Sequence, residues 1–230
     1  DLPARPPLPE RFQRVHVDPM SSAAPAGPAA AADDVPTGNT YDKYASSNPV
    51  ERRLMAGFFA ALDASLPRTS PQRILEVGVG EGEVTARLAE RWPGATFCGL
   101  DLPDPELAGH WDGKGFAPLF GDITTLPFPD ATFDLVLAIE VLEHVPFPEL
   151  ALAELARVAR RDLVVSVPRE PVWCAANLAR GKYVRDLGNT PGHINHWGKK
   201  AFAELVGRRF HVRAVHSPFP WTMVAASVRD

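Results

Sequence analysis

The stretch Ile74-Leu75-Glu76-Val77-Gly78-Val79-Gly80-Glu81-Gly82-Glu83-Val84 reads as a strand running into a glycine-rich turn and then a helix. Glycines at such a turn let the backbone come close to a ligand, and the following helix offers its first N–H groups. The dinucleotide fingerprint is G-x-G-x-x-G. Here Gly78, Gly80 and Gly82 give G-x-G-x-G, and position 83 is Glu83. A pyrophosphate is doubly anionic and is repelled by carboxylates on both sides of the turn. The ligand that suits Glu76 has a cationic or zwitterionic end, with an ammonium for the carboxylate. The turn's N–H groups then serve a carboxylate or a ribose.

Working outward, Asn48-Pro49-Val50-Glu51 supplies an Asn cap, Pro at the first helical position and Glu at the third. Val50, Leu54, Phe58, Ala61 and Leu62 follow at helical spacing, which predicts a helix over 49–65. Strands are expected at 73–77, 96–100, around 118–120, 133–139 and 163–167, with helices at 84–91 and 148–160 between them. The run from Phe133 to Ile139 is almost wholly apolar, as a central parallel strand covered on both faces requires. A helix over 199–206 and strands over 210–215 and 222–228 close the chain. Strands alternating with helices imply an α/β layer fold with right-handed crossovers.

Two carboxylates extend the pattern begun at Glu76. Asp101 closes the second strand about twenty residues beyond the glycines, where an acidic side chain binds a ribose diol. Asp122, in Gly121-Asp122-Ile123, follows the third strand; it can accept from an adenine amine while Ile123 packs on the ring. S-adenosylmethionine, with its ammonium, carboxylate and sulfonium, meets the demands of all three positions.

The motifs LEVGVGEGEVTARLAE (75–90), GLD (99–101), GDITTLPFPDATFDLVLAIEVLEHV (121–145) and LVVSVP (163–168) occur in one order. In that order the chain resembles the class I S-adenosylmethionine-dependent methyltransferases over roughly residues 41–228. Within them it looks most like the small-molecule branch typified by ubiquinone and menaquinone methyltransferases. The resemblance implies a Rossmann-like, mostly parallel seven-stranded sheet with helices on both faces and the last strand antiparallel. It implies cofactor contacts at Glu76, Gly78, Gly80, Gly82, Asp101 with its neighbour Leu102, Asp122, Ile123 and Glu140. Tyr41 and Tyr44 precede the capped helix, in a segment that folds over the cofactor in similar enzymes. The usual Pro-Gly-Gly turn before the fifth strand is replaced by Ala159-Arg160-Arg161-Asp162.

Residues 169–197 break the strand–helix rhythm with scattered Gly, Pro, Asn, Trp and His, and are expected to form a lid-like insertion over the acceptor. Glu140, Glu143 and His144 fall just after the fourth strand, at the carboxyl edge where α/β sheets bind ligands. A hydroxyl acceptor must lose a proton as it attacks, and an imidazole titrating near neutrality can take it. His144 is the first candidate base, followed by His193 and His196. A backbone hydrogen bond is the plainer role for the same ring. His193 and His196 lack a third metal partner in sequence, so no metal is expected. Trp173 and Tyr183 are candidate walls of the acceptor pocket, or simply the buried underside of the insertion.

The 230 residues suffice for one domain with a full core. The formal net charge of −4 argues against a nucleic-acid or anionic-lipid footprint. No Asn/Asp-Pro-Pro-Tyr/Phe tetrapeptide follows the fourth strand, where Glu140-Val141-Leu142-Glu143 stands. With only Cys98 and Cys174, neither a disulfide framework nor a zinc spacing can be built. No membrane span or signal peptide is evident, and a cytoplasmic setting fits. Residues 1–36 are Pro/Ala-rich and expected to be an extended or poorly ordered tail before the domain at 37–230, with Met20 the expected natural start.

Together these features lead to an enzyme that transfers a methyl group from S-adenosylmethionine to a small acceptor, at a hydroxyl oxygen. The alternatives are carbon methylation of a quinone-type precursor, or a non-catalytic cofactor-binding partner subunit.

Overall fold

The structure, a computed structural model, describes residues 48–229. The tail at 1–36, Tyr41 and Tyr44 therefore lie outside the described residues. Asn48 caps helix α1 (Pro49–Ser65) as its sequence demands, its side chain accepting from the Val50 N–H at 2.9 Å. The buried stripe of α1 is Met55, Phe58, Leu62 and Ser65. Val50, expected on that stripe, lies in the first turn of α1 and is 65% exposed.

Seven strands follow: β1 (Arg73–Val77), β2 (Thr96–Asp101), β3 (Ala117–Phe120), β4 (Phe133–Ile139), β5 (Ala159–Pro168), β6 (Phe210–His216) and β7 (Trp221–Val228). They lie in the order β3-β2-β1-β4-β5-β7-β6, with β7 antiparallel to both neighbours and every other pairing parallel. This is the expected Rossmann-like sheet. The remaining helices are α2 (Glu83–Arg91), α3 (Pro105–His110), α4 (Pro148–Val158), α5 (Val172–Ala179) and α6 (Lys199–Gly207).

Side-chain alternation along each strand divides the core between two layers. On one face Leu75, Val77, Val136, Ala138, Val165 and Val224 pack under α4 and α6 residues such as Leu155 and Phe202. On the other, Ile74, Leu135, Leu137, Val164 and Met223 pack under α1 and α2 through Phe58, Leu62 and Leu88. Every residue of β4 is buried, as its apolar run predicts.

Helix α4 ends at Val158, two residues earlier than its periodicity suggests, and β5 begins at Ala159 with no intervening turn. The segment 159–162 is thus strand, not the expected turn. The β4–β5 register shifts between Phe133 and Leu135, so that Ala159 pairs Phe133 and Asp162 pairs Leu135. That bulge absorbs Arg160 and Arg161 at the strand's exposed start. Chain order reverses between β1 and β4, the switch point at whose carboxyl ends α/β sheets bind ligands. No helix among the described residues is long and apolar enough to cross a membrane.

Candidate active site

The turn after β1 is held by backbone. Gly78 and Val79 donate to the Leu100 carbonyl at 2.7 and 3.2 Å, and Gly82 donates to Val79 at 2.9 Å. Gly78 has φ +72° and Gly80 +51°, both in the left-handed region. At Gly78 a Cβ would sit 2.2 Å from Val141 Cγ2, so only glycine lets the turn after β1 touch the segment after β4. At Gly80 an added Cβ would meet no atom of the described residues within 4 Å. The turn therefore faces an open cradle there, the shape a bound ligand needs.

Asp101 closes the same cradle. Its carboxylate accepts from the Gly80 N–H at 2.7 Å and the Leu102 N–H at 2.8 Å. Burial pushes its pKa up, against those two hydrogen bonds. Both oxygens keep a further lone pair for a ligand hydroxyl.

Glu76 precedes the glycines on β1 and is buried. It alternates with Leu75 and Val77, so its side chain enters the layer covered by α2. There it is 2% exposed and accepts from the Thr85 hydroxyl. Burial pushes its pKa up to about 8, opposed by hydrogen bonds from Thr85 and reinforced by Asp101. The structure thus seats this carboxyl directly beneath the turn.

Asp122 is exposed, and its Oδ1 accepts from the Thr124 N–H and hydroxyl, both at 2.7 Å, forming an Asx turn. Ile123 beside it is buried. Glu140 takes a left-handed φ of +59° and accepts from the Ser166 hydroxyl at 2.9 Å. A non-glycine residue in that region stores strain, and such residues gather at functional sites.

Three supports of the turn escaped the sequence reading. Trp111 Nε1 donates to the Gly80 carbonyl at 2.7 Å, and Lys114 Nζ donates to the Glu81 carbonyl at 2.6 Å. The Phe116 ring fills the space above Gly82 and Gly99. All three come from the connection between β2 and β3, which has no periodicity to mark them.

After β4 the chain makes a single 3-10 turn over Leu142–His144. His144 Nδ1 lies 2.9 Å from the Gly192 carbonyl. A carbonyl only accepts, so Nδ1 carries the hydrogen of this contact. His193 stands edge-on to His144, with ring centroids 4.8 Å apart, and is itself buried. Trp173 flanks His193 at 5.9 Å and anchors the insertion by donating to Thr190 Oγ1 at 2.9 Å.

The structure thus gathers His144, His193 and Trp173, which are far apart in sequence. It does not bring His196 or Tyr183 to them. His196 is exposed, with Nδ1 3.7 Å from Glu170 Oε1. Tyr183 lies on the outer turn of the insertion and is 38% exposed. The insertion is less irregular than expected, since it contains α5 and closes at its base. There the Glu170 N–H donates to the Trp197 carbonyl at 3.0 Å.

Comparison with known proteins places this geometry. Residues 75–165 match the family model described as a methyltransferase domain. An uncharacterised methyltransferase of Mycobacterium tuberculosis (strain H37Rv) is 37% identical over 166 residues, 71% of this chain and 78% of that protein. A demethylmenaquinone methyltransferase of Thermus thermophilus is 35% identical over 143 residues, 59% of this chain. The chain spans 64% of the length of that enzyme, less than two thirds. Among solved structures, the magnesium protoporphyrin IX methyltransferase of Synechocystis with bound S-adenosylhomocysteine has the same fold. It aligns with TM-score 0.56 at 17% identity, over 79% of this chain and 89% of that one. The open cradle at Gly80, the Asp101 carboxylate beside it and the extent of these matches agree: the chain belongs to the class I S-adenosylmethionine-dependent methyltransferases.

Proposed function

We propose that this protein transfers a methyl group from S-adenosylmethionine to a hydroxyl oxygen of a small organic acceptor, held between the turn at 142–144 and the insertion 169–197. In this reading the Gly78–Gly82 turn, Asp101 with Leu102, Asp122 and Ile123 hold the cofactor, and Glu76 and Glu140 shape its amino-acid end. The cofactor supplies an electrophilic methyl carbon on its sulfonium. The protein's task is to align the acceptor, exclude water and remove one proton.

The observation that carries the reading is the pair of imidazoles at the carboxyl edge of β4. Val141 packs on Gly78, so the histidine turn directly abuts the cofactor turn. The Gly192 carbonyl orients the His144 ring through Nδ1, as a positioned base requires. His193 and Trp173 wall the same side of the site, and the insertion acts as its lid. His196 and Tyr183, being exposed, have no part in this reading. Similarity to the demethylmenaquinone enzyme supports a second reading, methylation at carbon of a quinone-type acceptor.

Calorimetry tests the cofactor. S-adenosylhomocysteine should bind, with no comparable heat from NADP. Asp101→Ala should weaken its binding by roughly 5–150-fold, two hydrogen bonds at about 0.5–1.5 kcal/mol each. NADP binding without S-adenosylhomocysteine binding would refute the assignment. Single turnover with isotopically labelled methyl donor against phenols, carboxylic acids and quinols then separates oxygen from carbon methylation by the position of the label.

A further inference from the structure

We propose that Glu143, His144 and His193 together bind one divalent first-row transition-metal ion, of the zinc or ferrous kind. The inference rests on the reading of this edge as the acceptor site and deepens it. His193 and His196 lack a third ligand in sequence; the fold supplies His193 with two ligands from the turn after β4. One potential ligand atom from each of the three residues lies within 4.8 Å of the other two. Ligands 2.0–2.1 Å from a tetrahedral ion are about 3.4 Å apart, so modest side-chain rotation closes the set.

The two chain segments carrying the ligands are locked together. The N–H groups of Ile194 and Asn195 both donate to the Glu143 carbonyl at 3.0 Å. Asn195 Nδ2 donates to the carbonyls of Leu142 at 3.1 Å and Val145 at 2.7 Å. A fifth bond joins His144 Nδ1 to Gly192, and a carbonyl on the far nitrogen is the usual outer partner of a metal-bound imidazole. Glu143 is 1% exposed and His193 8%, so an ion here would be screened from bulk water. Two imidazoles and one carboxylate suit zinc or iron, whereas magnesium and calcium take oxygen ligands.

With the ion in place His144 is a ligand, and the ion takes over the task of a base. It lowers the pKa of a hydroxyl brought beside it, as it does for water. The hydroxyl would give up its proton to solvent as it enters and meets the ion, before the acceptor is enclosed. The sulfonium carbon–sulfur bond breaks as the oxygen–carbon bond forms, and S-adenosylhomocysteine departs as a neutral thioether.

The test is titration of the metal-stripped full chain with Co(II), followed by visible absorption, with displacement by Zn(II). Wild type should develop the d–d bands of a low-symmetry site at one equivalent, unaffected by excess Mg(II). Glu143→Gln and His193→Gln should each weaken Co(II) binding at least tenfold, and His196→Ala should bind like wild type. Should Glu143→Gln fail to fold by circular dichroism, His193→Gln decides alone. Absence of the bands in wild type, or undiminished Co(II) affinity in the folded variants, overturns the site. Binding of S-adenosylhomocysteine is measured on the same samples. Its absence alongside a Co(II) spectrum strikes the methyltransferase reading and leaves the metal site standing; its presence without a spectrum does the reverse, returning His144 to the role of base.

Discussion

The two halves of the carboxyl edge are built from different materials. On the β1–β2 side the candidate site is mainly backbone: a glycine turn tied to Leu100, with Asp101 closing the cradle and Trp111 and Lys114 bracing the turn. On the β4–β5 side it is side chain, with Glu143, His144 and His193 packed within a few ångströms of one another. A backbone cradle has little choice in what it holds, which suits an invariant cofactor. Side chains carried on an insertion can be exchanged one at a time, which suits an acceptor that differs between enzymes.

The largest expected effect falls on the side-chain half. His144→Ala should lower the single-turnover rate by at least about 10²-fold, the lower end for loss of a group that removes the acceptor's proton, whether as base or as ligand of the ion that acidifies it. Its affinity for S-adenosylhomocysteine should stay within a few-fold of wild type. A variant that keeps its rate but loses the cofactor would erase the division between the halves.

Next comes Glu76, beneath the backbone half. The unfolded carboxyl titrates near 4.5 and the folded one near 8, so the unfolded chain gives up its proton first. Stability therefore falls as pH rises from about 4.5 to about 8 and is unaffected by this group outside that window. The loss is at most roughly 3–5 kcal/mol, at 1.36 kcal/mol per unit. Glu76→Gln should flatten the decline in Tm between pH 5 and pH 8. Calorimetry in buffers of different ionisation enthalpy adds a second readout. If a ligand ammonium reaches Glu76, S-adenosylhomocysteine binding at pH 7 releases a proton in wild type and none in the variant. Equal proton release in both would remove Glu76 from the cofactor's contacts.

The smallest effect separates two glycines. Gly78→Ala drives a Cβ against Val141 and should cost about 1–3 kcal/mol of stability, the usual range for overpacking. Combining it with Val141→Ala should recover part of that in thermal melts. Gly80→Ala meets no neighbour, and its stability loss should be about 1–2 kcal/mol, the cost of a left-handed non-glycine residue. Its cofactor affinity should fall further than that of Gly78→Ala with Val141→Ala, because the new methyl enters the cradle.

Much of the fold was legible because its signals are local. The apolar run of β4, the cap at Asn48 and the glycine turn each declare themselves within a few residues. The start of β5 was not, since Arg160 and Arg161 look like a turn until a bulge against β4 accommodates them. The candidate cofactor residues follow strand ends, which can be counted along the chain. Trp111 and Thr85 could not, because each meets its partner through packing with no sequence period. The pairing of His144 with His193 spans about fifty residues and depends on how the insertion returns to the sheet. His196, only three residues from His193, turns outward to Glu170, so proximity in sequence misled there.

The pinch at the base of the insertion has a corollary. Arg169 bridges to Trp197, and Glu170 bonds the same residue, so the chain leaves the sheet and returns to it at almost one point. A segment closed at its neck behaves as a cassette. Lengthening it costs little, since doubling a flexible loop adds only about 0.6 kcal/mol of closure entropy. In the proposed reading, exchanging the stretch between these two residues changes the acceptor while the cofactor platform stays. Transplanting residues 170–196 into a related scaffold at the equivalent neck is the natural way to move the acceptor preference with them.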